Sequence, residues 1–274
     1  MNINRLRKWL IFYWLLITGM NLNAQPQVQT FIFPDKDHPD QWQVDLYIHL
    51  PQELISQPKM PNQNTLNLIL QVYDENGNRV LNLSELIDPD LNQNEILFSN
   101  EIPGFEHSKR FSIPSGPYQL ELLLQNAKGK ELIKYKSQLH IPGQSQVKLS
   151  DLVPVSFPKI SSAPFERILW PEIVPLHDDF YLYYEVVTSV PDTLLQFQAQ
   201  LENQQGEVIR DETYSLIISN YWKWDYFWVK VNDLPSGTYI FKLMLKNTPL
   251  IKEFKFRVVN TPVELTGRGE DKVS

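Results

Sequence analysis

Ile113-Pro114-Ser115-Gly116-Pro117-Tyr118-Gln119-Leu120-Glu121-Leu122-Leu123-Leu124-Gln125-Asn126 returns in the same chain as Leu234-Pro235-Ser236-Gly237-Thr238-Tyr239-Ile240-Phe241-Lys242-Leu243-Met244-Leu245-Lys246-Asn247. Seven of the fourteen positions are identical, and the copies start at 113 and 234, 121 positions apart. A period that long describes whole domains rather than the short units of a solenoid. Each copy opens with Pro-Ser-Gly-x-Tyr, in which proline presets φ and glycine supplies the conformation a tight turn needs. After the turn, Tyr118, Leu120, Leu122 and Leu124 alternate with Gln119, Glu121, Leu123 and Gln125. Tyr239, Phe241, Leu243 and Leu245 likewise alternate with Ile240, Lys242, Met244 and Lys246. Period-2 alternation predicts a strand with one buried face and one wet face.

Working outward, the two copies stay in step. Leu66, Leu68, Leu70 and Val72 alternate with polar neighbours before Asp74-Glu75-Asn76-Gly77-Asn78, and Leu195, Phe197, Ala199 and Leu201 do so before Asn203 to Gly206. Asn-Gly between alternating runs is a hairpin signal. Short return strands are expected at 79–83 and 207–210, with one helical turn near Ser84 to Leu86. Val44 to Leu50 matches Phe180 to Val187, and closing strands are expected at 131–141 and 251–259. A tyrosine entering a strand just after a turn resembles the tyrosine corner of immunoglobulin-like sandwiches, which assigns Tyr118 and Tyr239 a structural role. The predicted fold is all-β, two tandem immunoglobulin-like antiparallel β-sandwich domains after a signal peptide.

The leader is read from Arg5, Arg7 and Lys8, the apolar run Trp9 to Thr18, and Ala24 before Gln25. That order is a secretory signal peptide over 1–24. The apolar run is shorter than the ~20 residues a membrane span needs, so no transmembrane anchor is expected in the mature chain. The sequence contains no cysteine. A lipid anchor through an N-terminal cysteine is therefore closed, and each domain must be held by burial alone. Roughly 120 residues per module is enough for a core. The expectation is an exported bacterial protein, periplasmic or extracellular.

The remaining boundaries come from breaker residues. The first domain spans 25–143, closing at Ile141-Pro142-Gly143. The second spans 144–262 and contains a proline-rich connector, 153–176, expected to lie extended over its sandwich with Phe165 and Trp170 as packing residues. A flexible tail covers 263–274.

The second module also resembles a known family. Leu149-Ser150-Asp151-Leu152, a proline-bearing stretch, Phe180-Tyr181-Leu182-Tyr183-Tyr184-Glu185-Val186 and Leu234-Pro235-Ser236-Gly237-Thr238-Tyr239 resemble the region preceding the GWxTD domain in exported bacterial GWxTD domain-containing proteins. No Gly-Trp-x-Thr-Asp string occurs in this sequence. The resemblance therefore implies location and tandem sandwiches, and no activity.

Catalytic and metal chemistry leave little trace. His38, His49, His107, His140 and His177 are scattered without paired-ligand spacing. Ser115 and Ser236 sit in Pro-Ser-Gly turns rather than in a nucleophile elbow. The Asp35/Asp37/Asp40 and Asp88/Asp90/Asn92/Asn94/Glu95 clusters lack the offsets of a calcium loop and read as turn chemistry. His177, Asp178 and Asp179 read as a polar loop, although a folded pocket could gather them with another titratable group. No catalytic residue, metal or cofactor is expected, and the protein reads as a non-enzyme. Removing the three basic residues of 1–24 from 25 Lys plus Arg leaves 22 against 32 Asp plus Glu, a formal −10. An acidic surface without a basic stripe excludes nucleic acid as a partner.

The candidate binding residues lie in Tyr221-Trp222-Lys223-Trp224-Asp225-Tyr226-Phe227-Trp228. As a strand, it places Trp222, Trp224, Tyr226 and Trp228 on one face and Tyr221, Lys223, Asp225 and Phe227 on the other. Two readings are open. Large aromatics are usually buried, which makes this a heavy core strand under the connector. Alternatively, part of the aromatic area meets solvent, the interdomain groove or a partner. On the second reading the residues are Tyr221, Trp222, Trp224, Tyr226 and Trp228. The expected partner is another envelope protein contacting a structural or interaction scaffold, and the alternative partner is a glycan.

Overall fold

The computed structural model describes residues 27–51, 65–88, 104–143, 145–156, 166–167 and 176–259, and among these every regular element is a strand. The first module contains β1 (Gln27–Pro34), β2 (Gln41–Pro51), β3 (Leu66–Asp74), β4 (Arg79–Ile87), β5 (Gly104–Pro114), β6 (Gly116–Asn126) and β7 (Glu131–Ile141). The second contains β8 (Val147–Leu149), β9 (Val153–Ser156), β10 (Glu166–Arg167), β11 (Phe180–Thr188), β12 (Thr193–Asn203), β13 (Val208–Ile218), β14 (Trp222–Val229), β15 (Gly237–Leu245) and β16 (Ile251–Val258). The predicted signal peptide, the 263–274 tail, Phe165, Trp170 and the cluster from Asp90 to Glu95 lie outside the described residues.

All ladders are antiparallel, and the topology repeats. One sheet of the first module runs β1-β2-β5 and faces β4-β3-β6-β7; in the second module β9-β11-β14 faces β13-β12-β15-β16, with β8 also on β11 and β10 on β9. The two Pro-Ser-Gly-x-Tyr corners occupy equivalent places, between β5 and β6 and between β14 and β15. Each module has its own core. Trp42, Leu46, Leu70, Leu120 and Leu122 belong to one cluster, and Phe180, Leu182, Tyr184, Phe197, Leu243 and Phe256 to the other.

The period-2 reading is correct in face as well as in type. Leu66, Leu68, Leu70 and Val72 are buried, as are Tyr118 to Leu124 at alternate positions and Tyr239 to Leu245 in the second copy. The hairpin turns also repeat. The Asp74, Asn126 and Asn203 carbonyls accept from Gly77, Gly129 and Gly206. Each of those glycines has φ between 75° and 81°, so it takes the left-handed position that closes the loop. The side-chain oxygens of Asp74, Asn126 and Asn203 further cap the loop amides. At the corner, the Tyr239 hydroxyl donates to the Pro235 carbonyl at 2.6 Å. A Cβ on Gly116 would meet the Tyr118 ring at 3.5 Å, and one on Gly237 the Tyr239 ring at 3.7 Å. The tyrosine therefore lies over its own glycine in both modules.

Three local expectations are corrected. Ser84 to Leu86 is strand rather than a helical turn, because β4 pairs with β3 through Leu66↔Ile87 and buries Ile87. The 207–210 return strand becomes the eleven residues of β13. The connector does not begin as a cover over the second sandwich. Its first residues, Val153 to Ser156, are β9, paired to β11 inside the sheet, and Val153 and Val155 are buried. Pro154 is accommodated because β10 reaches only Val155 and Ser156 of that strand.

Candidate functional site

β11 directs Phe180, Leu182, Tyr184 and Val186 into the core, which forces Tyr181, Tyr183 and Glu185 onto the outer face. The register sets Trp228 opposite Tyr181, Tyr226 opposite Tyr183, Trp224 opposite Glu185 and Trp222 opposite Val187. The outer face of this sheet is therefore an aromatic field. Tyr183 and Trp224 lie at 6.2 Å between centroids, Trp224 and Tyr226 at 6.3 Å, and Tyr181 and Trp228 at 6.4 Å, all with interplanar angles under 30°. These are offset, near-parallel contacts.

The aromatic face is open to solvent along β14. Trp224 is 41% exposed, Tyr226 40%, Trp228 51% and Tyr221 53%. Trp224, Tyr226 and Trp228 therefore do not lie in a core, and most of the connector expected to cover them lies outside the described residues. Phe227 alone among these aromatics packs on the core cluster. Tyr221 is a correction too. It precedes β14 with φ 60°, so it does not share the face of Lys223 and Asp225 as a strand residue would. Two lysines sit on the ends of the row, Lys36 at 3.8 Å over the Trp222 ring and Lys230 at 4.4 Å over Trp228.

The other half of the field is covered by the first module. Phe31 and Phe33 of β1 point away from their own core and cluster with Val153 and Val155, packed with Tyr47, Tyr181 and Tyr183. Polar bonds fix the same junction. The Ile32 amide donates to Asp151 Oδ2 at 2.7 Å, and the Asp151 amide donates back to the Ile32 carbonyl at 2.8 Å. Lys252 reaches Asp151 Oδ1 at 2.7 Å, and Lys148 donates to the Pro39 carbonyl. Burial pushes the Lys148 ammonium below its usual pKa, while Asp40 and Asp35 oppose that shift.

Glu185 is 7% exposed and stands at the border between the covered and open halves. The Tyr183 hydroxyl donates to it at 2.6 Å, the Trp222 indole at 2.9 Å, and Lys36 of the first module lies 3.4 Å away. A buried carboxylate is stable only with such partners. Above it opens a cleft of about 430 Å³ between the modules, with Phe33, Val153 and Val155 on its floor and Gln43, Arg110, Asp37, Tyr183 and Glu185 around it. The polar groups are held by each other. Arg110 forks onto Asp45 at 2.7 and 2.9 Å, and Gln43 Nε2 donates to the same carboxylate at 3.1 Å.

The remaining candidates turn out to be architectural. Burial would raise the Asp35 carboxyl, but the Ser112 hydroxyl at 2.5 Å, the Asp37 and His38 amides and the His38 ring together hold it below the usual carboxylate range. That carboxylate closes the β1–β2 loop. His177 bonds the Val259 carbonyl and Asp179 caps the Val231 amide, so both side chains hold backbone at the ends of strands. Among the described residues no three His, Cys, Asp or Glu form a metal-holding group, and no helix is long and apolar enough to cross a membrane. Burial also raises the Tyr184 and Tyr214 hydroxyl pKa values; the two oxygens lie 2.8 Å apart. Sequence reasoning named an interdomain groove only as one place the β14 aromatics could meet, and did not place a binding cleft there. The outward phenylalanines of β1 were its only signal, and β1 itself was not read.

No family model matches the chain, and no curated protein does. Solved structures are similar to it at low identity. Dimeric latent PorU from Porphyromonas gingivalis is matched over 89% of this chain and 21% of that one, at 12% identity and a TM-score of 0.34. A glycosyl hydrolase family 2 member from Bacteroides cellulosilyticus is matched over 80% and 28%, at 9% identity and 0.35. A bacterial adhesin from Mobiluncus mulieris is matched over 80% of both chains, at 10% identity and 0.23. The chain thus spans 21% and 28% of the first two proteins.

Proposed function

We propose that this is an exported, non-catalytic bacterial envelope protein, a two-module scaffold that holds a protein partner on the outer face of β14. The observation that carries the reading is the row Trp224, Tyr226 and Trp228, each at least 40% exposed on a strand whose neighbour β11 is buried under the first module. Exposed contiguous aromatics mark contact surfaces, and Trp and Tyr supply most of the energy in such interfaces. The contact uses the face rather than the strand edge. Asp225 accepts the Tyr226 amide and Arg210 covers the Lys230 carbonyl, which are guards against strand addition. The test is capture from envelope extract by the wild-type protein and by the Trp224→Ala/Trp228→Ala variant. A partner retained by the first and lost by the second, with unchanged circular dichroism, supports the reading; identical captures overturn it.

The near-parallel arrangement of Tyr183, Trp224 and Tyr226 favours a second reading, glycan stacking on the same row. Glycan-array binding abolished by Trp224→Ala alone would select it over protein contact.

A further inference from the structure

We propose that the cleft between the modules is a binding site of its own, for a small neutral saccharide of one or two rings. This goes beyond protein contact on the aromatic row, and it rests on a different set of residues.

The chemistry of the lining selects the ligand class by elimination. An anion is disfavoured because both cations are already neutralised, Arg110 by Asp45 at 2.7 Å and Lys36 by Glu185 at 3.4 Å, while Asp37 adds a further negative charge. A cation finds its best position taken. The pairing of a buried carboxylate with an aromatic face, Glu185 with Trp222, is filled by the chain's own Lys36. A wholly apolar ligand would strip water from Gln43, Arg110 and Asp37 and offer them nothing in return. What remains is a neutral molecule with hydroxyls at its rim and C–H groups on one face. Phe33, Val153 and Val155 form a floor for the C–H face, and carboxylate, amide and guanidinium groups stand around it as donors and acceptors.

Two further features fit. The volume of about 430 Å³ falls at the lower end of small-molecule sites, roughly 300–1,000 Å³. The polar side chains are also pre-ordered. Arg110, Gln43 and Asp45 hold one another, and Glu185 is fixed by Tyr183 and Trp222, so little rotamer freedom remains to be lost on binding. Each module contributes one wall, β2 and β5 from the first and β9 and β11 from the second. The site exists only because the modules are docked.

The test uses the full mature chain and a panel of neutral disaccharides built from glucose, galactose and N-acetylglucosamine, with glucuronic acid and glucosamine as charged comparators. Binding is read by Trp fluorescence and by amide shifts in NMR. At least one neutral sugar is expected to bind at millimolar affinity or better, shifting amides of Gln43, Arg110 and Val155. Val155→Phe, which fills the floor, and Gln43→Ala, which leaves the Asp45–Arg110 pair intact, are each expected to weaken it about ten-fold or more. The proposal is overturned if no neutral sugar binds up to about 10 mM, if a charged comparator binds more tightly, or if the shifted amides lie elsewhere. Because the shifts are mapped on the unmodified protein, misfolding of either variant does not decide the outcome.

Discussion

β5 and β14 are the same strand in two copies of one fold, each at the edge of its sheet and each leading into a Pro-Ser-Gly-x-Tyr corner. Their outward side chains have nothing in common. β5 presents Glu106, Ser108, Arg110 and Ser112, whereas β14 presents Trp222, Trp224, Tyr226 and Trp228. The inner edge of each sandwich differs in the same sense. In the first module Glu85 of β4 draws in Lys109 and lies 3.6 Å from His107. In the second, Tyr214 of β13 packs edge-on against Phe227 at 4.8 Å, with Phe197 stacked behind it at 5.4 Å. β6 and β15, by contrast, share Gly116/Gly237, Tyr118/Tyr239, Leu122/Leu243 and Leu124/Leu245, and each is paired on both sides with every second residue buried. Between these two copies, the enclosed strand is the more alike and the edge strand the less.

Substitutions at equivalent positions test this comparison. The largest effect is expected in the shared core. Leu122→Ala and Leu243→Ala, at residues 1% and 0% exposed, should each cost about 2–5 kcal/mol in urea unfolding. A much smaller cost in one module would show that the two cores do not carry equal weight.

Asp151→Ala should come next. It removes the bonds to the Ile32 amide and Lys252 and leaves a part-buried donor without its acceptor, at a cost of about 1–3 kcal/mol. The change should also raise amide exchange at Ile32 while sparing β6. Protection unchanged at Ile32 would mean that the apolar cluster alone docks the modules.

The corners sharpen the comparison further. Gly116 has φ +149°, a conformation unfavourable for a side chain, and Gly237 has no such φ. Gly116→Ala is expected to destabilise by about 1–3 kcal/mol. Gly237→Ala should cost less, because only the contact with the Tyr239 ring must adjust. Equal losses on thermal melting would refute the distinction.

The smallest effect is one of pH. The folded state holds the Asp35 carboxyl below its unfolded value, so the unfolded chain binds the proton more readily. The resulting stabilisation is present above the unfolded carboxylate pKa, near 4, and is lost as pH falls through the lower folded value. Asp35→Asn should flatten the acid limb of the stability profile of the first module and leave the neutral plateau lower. An acid limb identical to wild type would show that the loop it closes does not matter for stability.

Much of this was visible in the residues. The alternation in Leu66 to Val72, Tyr118 to Leu124 and Tyr239 to Leu245 identified strand and buried face together, since half-buried strands must alternate. The Gly77 and Gly206 hairpins were legible because a left-handed residue at that position calls for glycine. β8 was hidden by its brevity and β9 by its brevity and Pro154, while the far end of β4 was missed because only its pairing partner keeps Ser84 to Leu86 extended. The candidate row on β14 was identified by composition, but its exposure was not. Alternation says that two faces differ, and here both faces carry aromatic rings.

By itself the sequence determined that the chain is two copies of one all-β unit without disulfides, and which residues of β3, β6 and β15 face inward. Those properties are local, set by side-chain alternation and turn conformation. Only the tertiary structure decided that Phe31 and Phe33 cover one half of an aromatic face, that Trp224 to Trp228 remain outside, and that a cleft opens between the modules. Those outcomes depend on contacts between residues more than a hundred positions apart, such as Ile32 with Asp151.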